Sequence, residues 1–307
     1  MNKIATPVST SNPPFQNERT QSPQPGLTAN LDNGGRRLIY WFHIPKTAGM
    51  TIINHLAQQY KEGGLVYPSK NKSLVCDLFL KKKFIVPPEL NDRPIVGHFA
   101  SFSLMRGRES NYYKACFWRH PADWFLSYYN WRNRRDERRK KGNYSFYDFV
   151  KSLSHNPMSQ DFLLYCGDEP GWKYFFMSDL RKFKRAISLA NRFDLFADIS
   201  SVNDYLDSIG FAENEGIEIR NSIPKEEKAL KSLDLEARRR LELLNPVDYY
   251  IYRVALGENR EQVISEADRV LTDRFQFRDV VRLMARPYYR SKVVLIPFFN
   301  LHLRLGL

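Results

Sequence analysis

The sequence predicts an α/β protein: a parallel sheet flanked by helices, with a helix-rich C-terminal half. Three observations carry this. Short, largely apolar or aromatic runs occur at 38–44 (LIYWFHI), 94–99 (PIVGHF) and 113–118 (YKACFW), as expected of strands buried on both faces. Stretches of helical spacing separate them. Beyond Tyr144 nearly every segment has the helical period, so the sheet is built mainly from the first half of the chain.

Taken in order, residues 1–36 are rich in Ser, Thr, Asn, Gln and Pro. Such a stretch buries too little apolar area to offset chain entropy and is expected to be a disordered arm. Lys3 and Arg19 balance Glu18 and Asp32, so it carries no net charge up to residue 35. It also lacks the apolar segment of a secretory signal. Order is expected to begin at Leu38. After the first strand, PKTAG makes a turn, and 50–60 has helical spacing with Ile53, Leu56 and Ala57 on one face. A further strand is possible at Phe84–Val86. Arg119-His120-Pro121 breaks the strand at 113–118, and a long helix follows, with Pro121 suited to its first turn. Helices are then predicted at 145–153, 158–166, 179–190, 200–209, 233–244, 246–256 and 259–272, with a strand at 193–197 (FDLFA).

Composition narrows the function. The 307 residues hold 43% hydrophobic and 14% aromatic side chains, which excludes global disorder. Lys+Arg total 47 against 34 Asp+Glu, a formal charge of +13, so the surface favours an anionic partner. Cys76, Cys116 and Cys166 are too widely spaced for a zinc site or disulfide framework, and a reducing compartment is expected. No run of about 18 apolar residues predicts a transmembrane helix.

The segment FHIPKTAGMT (42–51) lies between a strand and a helix. A helix start presents unpaired N–H groups and the positive end of its dipole, so a phosphate binds well there. Pro45, Lys46, Thr47, Ala48, Gly49, Met50 and Thr51 form this candidate loop. Lys46 offers a full charge, Thr47 and Thr51 offer hydroxyls, and Gly49 is expected to let a ligand approach the backbone. The loop is not a Walker A motif: the lysine precedes the glycine, and Met50 stands where a Walker lysine would be. A triphosphate-and-magnesium kinase is therefore disfavoured, and no metal site is suggested.

HIPKTAG resembles the 5′-phosphosulfate loop of sulfotransferases that use 3′-phosphoadenosine-5′-phosphosulfate (PAPS), most of all the branch of heparan sulfate 2-O-sulfotransferases and bacterial carbohydrate sulfotransferase homologues. The resemblance covers roughly 37–256 and implies a P-loop-like fold, with a sulfotransferase domain at 37–291. It implies that Arg119 and Ser127, in FWRHPADWFLSYY, bind the donor's 3′-phosphate. A second Arg common in the family is replaced by Trp124, which is either a core residue of the helix or packs near the adenine. It also implies that His98, in GHF, is the catalytic base, with His43, His55 and His120 as competitors, and that Lys46 is catalytic on the bridging oxygen. SHNPMSQDFLLYCGD (154–168), RNSIPK (220–225) and LNPVDYYIYRVA (244–255) resemble further family segments, but no chemistry is assigned to them. The family's Gly-x-x-Glu pattern is missing from FDLFADISSVNDYL.

The expected reaction is transfer of a sulfuryl group from PAPS to a hydroxyl, most readily of a carbohydrate. Lipid-linked sugars, small metabolites and protein tyrosine stay open as acceptors. Basic, aromatic blocks at 130–142 and 173–185 fit an acidic glycan or a solvated helix face equally. The readings from other classes are a P-loop nucleotide-type kinase and a basic nucleic-acid-binding protein. KVVLIPFFNLHLRLGL (292–307) is either packed on the domain or a peripheral membrane anchor next to Arg286, Arg290 and Lys292. A bacterial, cytoplasmic enzyme is expected, or one peripheral at the inner membrane face.

Overall fold

The computed structural model describes residues 38–47, 49, 52–53, 94–98, 100–105, 107–138, 145–153, 155–167, 169–170, 173–174, 176–208, 228 and 230–271. All lie in the unit Arg37–Leu307, one of two into which the chain divides, the other being Met1–Arg36. The arm, the strand expected at 84–86, RNSIPK and the apolar C-terminal stretch fall outside the described residues.

Among the described residues four strands form one sheet, β1 Leu38–Phe42, β2 Ile95–Gly97, β3 Tyr112–Trp118 and β4 Leu195–Asp198, in the order β2-β1-β3-β4. Every pairing is parallel. This is the α/β class read from the sequence. Side chains alternate across the sheet. Tyr40, Phe42, Cys116 and Trp118 enter one core, while Ile39, Trp41, Val96, Ala115 and Phe117 enter another on the opposite face. Burial on both faces is why the strands read as largely apolar runs, with Lys114 of β3 only partly buried and paired with Asp194.

The register places the functional ends together. Phe42 pairs with Gly97 on one side and with Cys116 on the other, and Trp118 pairs with Asp198. The segments leaving β1, β2 and β3 therefore emerge at the same edge. The chain goes from β1 outward to β2, then returns to place β3 on β1's other side. In open α/β sheets, the crevice outside the carboxyl ends at such a reversal is where ligands bind.

The first long helix, α1 (Pro121–Arg138), starts with proline at its first position. Then come α2 (Phe146–Ser152), α3 (Pro157–Cys166) and α4 (Asp179–Ala190). After β4 lie α5 (Val202–Ser208), α6 (Leu235–Leu244), α7 (Pro246–Ala255) and α8 (Arg260–Val270). Caps set many of the starts: Ser145, Ser178, Asp234 and Asn259 each accept a backbone N–H from the first turn. Most boundaries shift by a residue or two, and two differ in kind from expectation. Phe193 belongs to the turn that ends α4, so β4 starts at Leu195. The helix expected at 200–209 opens with a 3-10 turn, Ile199–Ser201, capped by Asp198.

A polar clasp joins α3 to α7. Asn156 sits in the left-handed region, φ 50°, and its Oδ1 accepts the N–H groups of Val247 and Asp248 at 2.9 and 3.3 Å. In return Asn245 Oδ1 accepts from Asn156 N at 2.8 Å, and Asp248 accepts from Met158 N and Ser159 N at 3.0 and 2.7 Å. Each side chain satisfies the orphan donors at the other helix's start. Burial pushes the Asp248 carboxyl up to about 7 against these hydrogen bonds. Trp118 Nε1 donates to Asp248 O at 3.1 Å, fastening the clasp to β3. Two of the segments given no chemistry from the sequence thus cap one another.

Candidate active site

The loop after β1 is tightly folded. Thr47 N and Oγ1 both donate to Ile44 O, at 3.3 and 2.8 Å. Lys46 takes φ 72°, a left-handed conformation costing an ordinary residue about 1–2 kcal/mol. Two side chains from beyond β3 hold it there: Trp124 Nε1 donates to Pro45 O at 2.6 Å and Arg119 Nη1 donates to Lys46 O at 3.2 Å. Trp124 is therefore a buried residue of α1, and it braces the loop at a place where the resemblance leads one to expect a second arginine. Burial, then the nearby Arg119 charge, brings the Lys46 ammonium down to about 8. Burial also lowers Arg119, opposed by Asp123 and Asp198. Neither cation forms an ion pair with a carboxylate among the described residues. Asp123 pairs with Arg238, and Asp198 accepts from Ser200. Two partly desolvated positive charges thus flank the reversal in strand order, a site suited to an anion.

Ser127 is half-buried on α1. It lies three residues after Trp124 and four before Trp131, so the three share a helix face. Both tryptophans meet the loop: Trp124 through Pro45, and Trp131 through its ring, 5.7 Å from Lys46 Nζ. Tyr128 stacks on Trp131 at 5.5 Å, and the Arg135 guanidinium lies 5.2 Å from the Trp131 centroid. No sequence signal reveals this link between Trp131 and Lys46, because the pair is separated by 85 positions of chain and joined through the sheet register.

His98 follows Gly97, whose φ of 126° turns the chain sharply at the end of β2. His98 Nδ1 lies 2.7 Å from His43 O, and the two rings stack at 4.2 Å. A carbonyl oxygen only accepts, so Nδ1 carries the hydrogen and Nε2 the lone pair. Burial lowers His98 below its ordinary value, opposed by this hydrogen bond, so the ring is a neutral base at neutral pH. Of its competitors, His120 is structural: its Nδ1 accepts from Ala122 N at 3.2 Å and its Nε2 meets Glu242 at 3.0 Å. His55 lies outside the described residues.

Gly49 is also constrained from within the fold. A Cβ there would stand 1.7 Å from His43 Cε1 and 1.8 Å from Nε2. Gly49 makes room for the ring beneath the loop. Ala48, Met50 and Thr51 lie outside the described residues. The two basic blocks also separate. Within 173–185, Lys173 and Arg185 pair with Glu169, Lys182 with Asp179 and Lys184 with Asp268, so this block is bound into the helical layer. Within 130–142, Arg135 and Arg132 instead lie over the Trp131 and Phe149 rings. Among the described residues no group of His, Cys, Asp or Glu could hold a metal ion, and no helix is long and apolar enough to cross a membrane.

Comparison with known proteins agrees with this geometry. A model of the family described as "Sulfotransferase family" matches residues 33–253, well over half of the chain and all of the site. No curated protein and no solved structure matches.

Proposed function

We propose, because this chain belongs to the sulfotransferase family, that it transfers a sulfuryl group from PAPS to a carbohydrate hydroxyl, as in the heparan sulfate 2-O-sulfotransferase-like branch. Sulfuryl transfer is the activity of the family; donor and acceptor are our reading. One observation carries the donor: Lys46 and Arg119, desolvated and without carboxylate partners among the described residues, come from adjacent strand ends and are tied by the bond from Arg119 Nη1 to Lys46 O.

In this reading Lys46 and the helix start that includes Gly49 hold the 5′-phosphosulfate. Arg119 and Ser127 bind the 3′-phosphate, supplying binding energy remote from the reacting sulfur. His98 Nε2 takes the acceptor hydroxyl's proton. The oxygen so released forms the new bond to sulfur as the bond from sulfur to the phosphate oxygen breaks, and Lys46 meets the negative charge left on that oxygen. His98 then gives its proton to solvent. The Trp131 ring and Arg135, beside Lys46, suit an acidic sugar, with its C–H face on the indole and its anion on the guanidinium.

Calorimetry tests the donor. Adenosine 3′,5′-bisphosphate should bind at least about tenfold more tightly than AMP or ATP, the worth of one charged hydrogen bond. Equal affinity for AMP removes the 3′-phosphate assignment. Incubation with radiolabelled PAPS and a panel of uronic-acid and neutral polysaccharides tests the acceptor. Label confined to neutral chains would reject the Trp131–Arg135 assignment.

A further inference from the structure

We propose that His43 is the positioning residue of the base His98: its carbonyl sets which nitrogen of His98 holds the proton, and its ring is a neutral floor for both His98 and the loop above. The proposal rests on reading His98 as the base.

The backbone brings the pair together. His43 follows β1 directly, and its N–H donates to Gly97 O at 3.0 Å, extending the β1–β2 pairing by one residue. That step carries His43 O to 2.7 Å from His98 Nδ1. A base histidine needs one nitrogen oriented and protonated so that the other can accept. A carboxylate commonly does this; here a carbonyl does. It also meets the positive charge that forms on His98 once Nε2 has taken a proton, without placing a counter-charge beside the anionic donor.

The ring has a separate part. His43 lies between Trp41, at 5.1 Å and 24°, and His98, at 4.2 Å and 27°. The imidazoles stack face to face, so no proton passes between their nitrogens. Both ring nitrogens of His43 are buried and without a hydrogen-bond partner among the described residues. What the site uses is thus the flat surface of the ring. The titratable groups facing it are His98, from the end of β2, and Lys46, from its own loop; burial first, and then these two, hold the imidazole well below its ordinary value. It stays uncharged and adds no repulsion when His98 becomes cationic. Gly49 is the complement, since an added Cβ would strike the ring.

The first readout, the titration of His98, needs neither donor nor acceptor. The His98 midpoint is read by NMR from the labelled ring carbon in the full-length protein. His43→Phe keeps a flat ring without nitrogens; the midpoint should stay within about 0.3 units of the parent and turnover within a few-fold. His43→Ala lets water in beside His98; the midpoint should rise toward the ordinary 6.5 by roughly half a unit or more. Turnover should then fall about tenfold or more through lost orientation, with affinity for adenosine 3′,5′-bisphosphate changed less than threefold. Gly49→Ala displaces the same ring and should raise the midpoint likewise, which keeps the test alive if His43→Ala does not fold. A midpoint unmoved in both folded variants overturns the proposal. So does a His43→Phe as impaired as His43→Ala, because the nitrogens would then matter. Failure to bind the bisphosphate would instead count against the proposed function, and the His98 titration would still decide this one.

Discussion

Two buried polar regions of this protein, the loop after β1 and the clasp between α3 and α7, solve opposite problems. In the clasp, Asn156, Asn245 and Asp248 exchange hydrogen bonds until only Asn156 Nδ2 is without a partner. In the loop, the Lys46 and Arg119 charges are desolvated and find no carboxylate partner among the described residues, Lys46 holds an uncommon backbone angle, and both nitrogens of His43 go unpaired. The clasp is nearly complete within the chain, Asn156 Nδ2 alone left over among its described atoms. The loop is left to be completed by an anion, and the fold tolerates its strain because Trp124 and Arg119 hold its carbonyls from outside.

This contrast can be broken from either side. The largest effect should come from Lys46→Ala: turnover falls about 10²–10³-fold, the range for losing one preorganised charge-stabilising group, while thermal stability does not fall. A parallel loss of stability would mean the loop is structural like the clasp. Arg119→Ala should weaken adenosine 3′,5′-bisphosphate by about 1.5–3 kcal/mol in calorimetry, the range for a charged hydrogen bond. From the other side, Asp248→Asn puts an amide N–H₂ against a backbone donor; urea denaturation should show a loss of about 1–3 kcal/mol, with bisphosphate affinity unchanged. An affinity that fell with stability would connect the two regions.

The smallest effects sharpen the comparison through pH. For kcat/KM, the acid limb should lie below pH 6.5, because burial lowers His98, and the alkaline limb near pH 8, where free Lys46 loses its proton. Stability follows opposite signs in the two regions. The Asp248 carboxyl is raised to about 7 from its ordinary 3.8, so the native state binds more protons and stability declines as pH rises through that window. The Lys46 ammonium is lowered to about 8 from 10.5, so the unfolded state binds more protons and this group's penalty is relieved as pH rises between those values. Denaturation midpoints of the parent, Asp248→Asn and Lys46→Ala across pH 4–10 separate the two contributions. A Lys46→Ala curve parallel to the parent's above pH 8 would show that Lys46 is not desolvated.

The sequence by itself determined the strands, because apolar runs such as LIYWF and ACFW call for burial on both sides. It determined most helix starts, because Ser178, Asp234 and the prolines at 121, 157 and 246 act within a few residues of themselves. It brought Lys46, His98, Arg119 and Ser127 into one argument through motif resemblance, but it did not give their geometry. Only the tertiary structure decided that Trp124 braces Pro45, that Trp131 lies beside Lys46, that Gly49 is small for the sake of His43, and that Asn156 and Asp248 clasp two helices. The physical reason is range. Caps and burial patterns depend on neighbours within one turn of chain and leave their mark locally. Those other contacts, Gly49 on His43 excepted, join residues far apart in sequence that are brought together only by strand pairing and helix packing, and a ring packed under a glycine leaves no local signal at either residue.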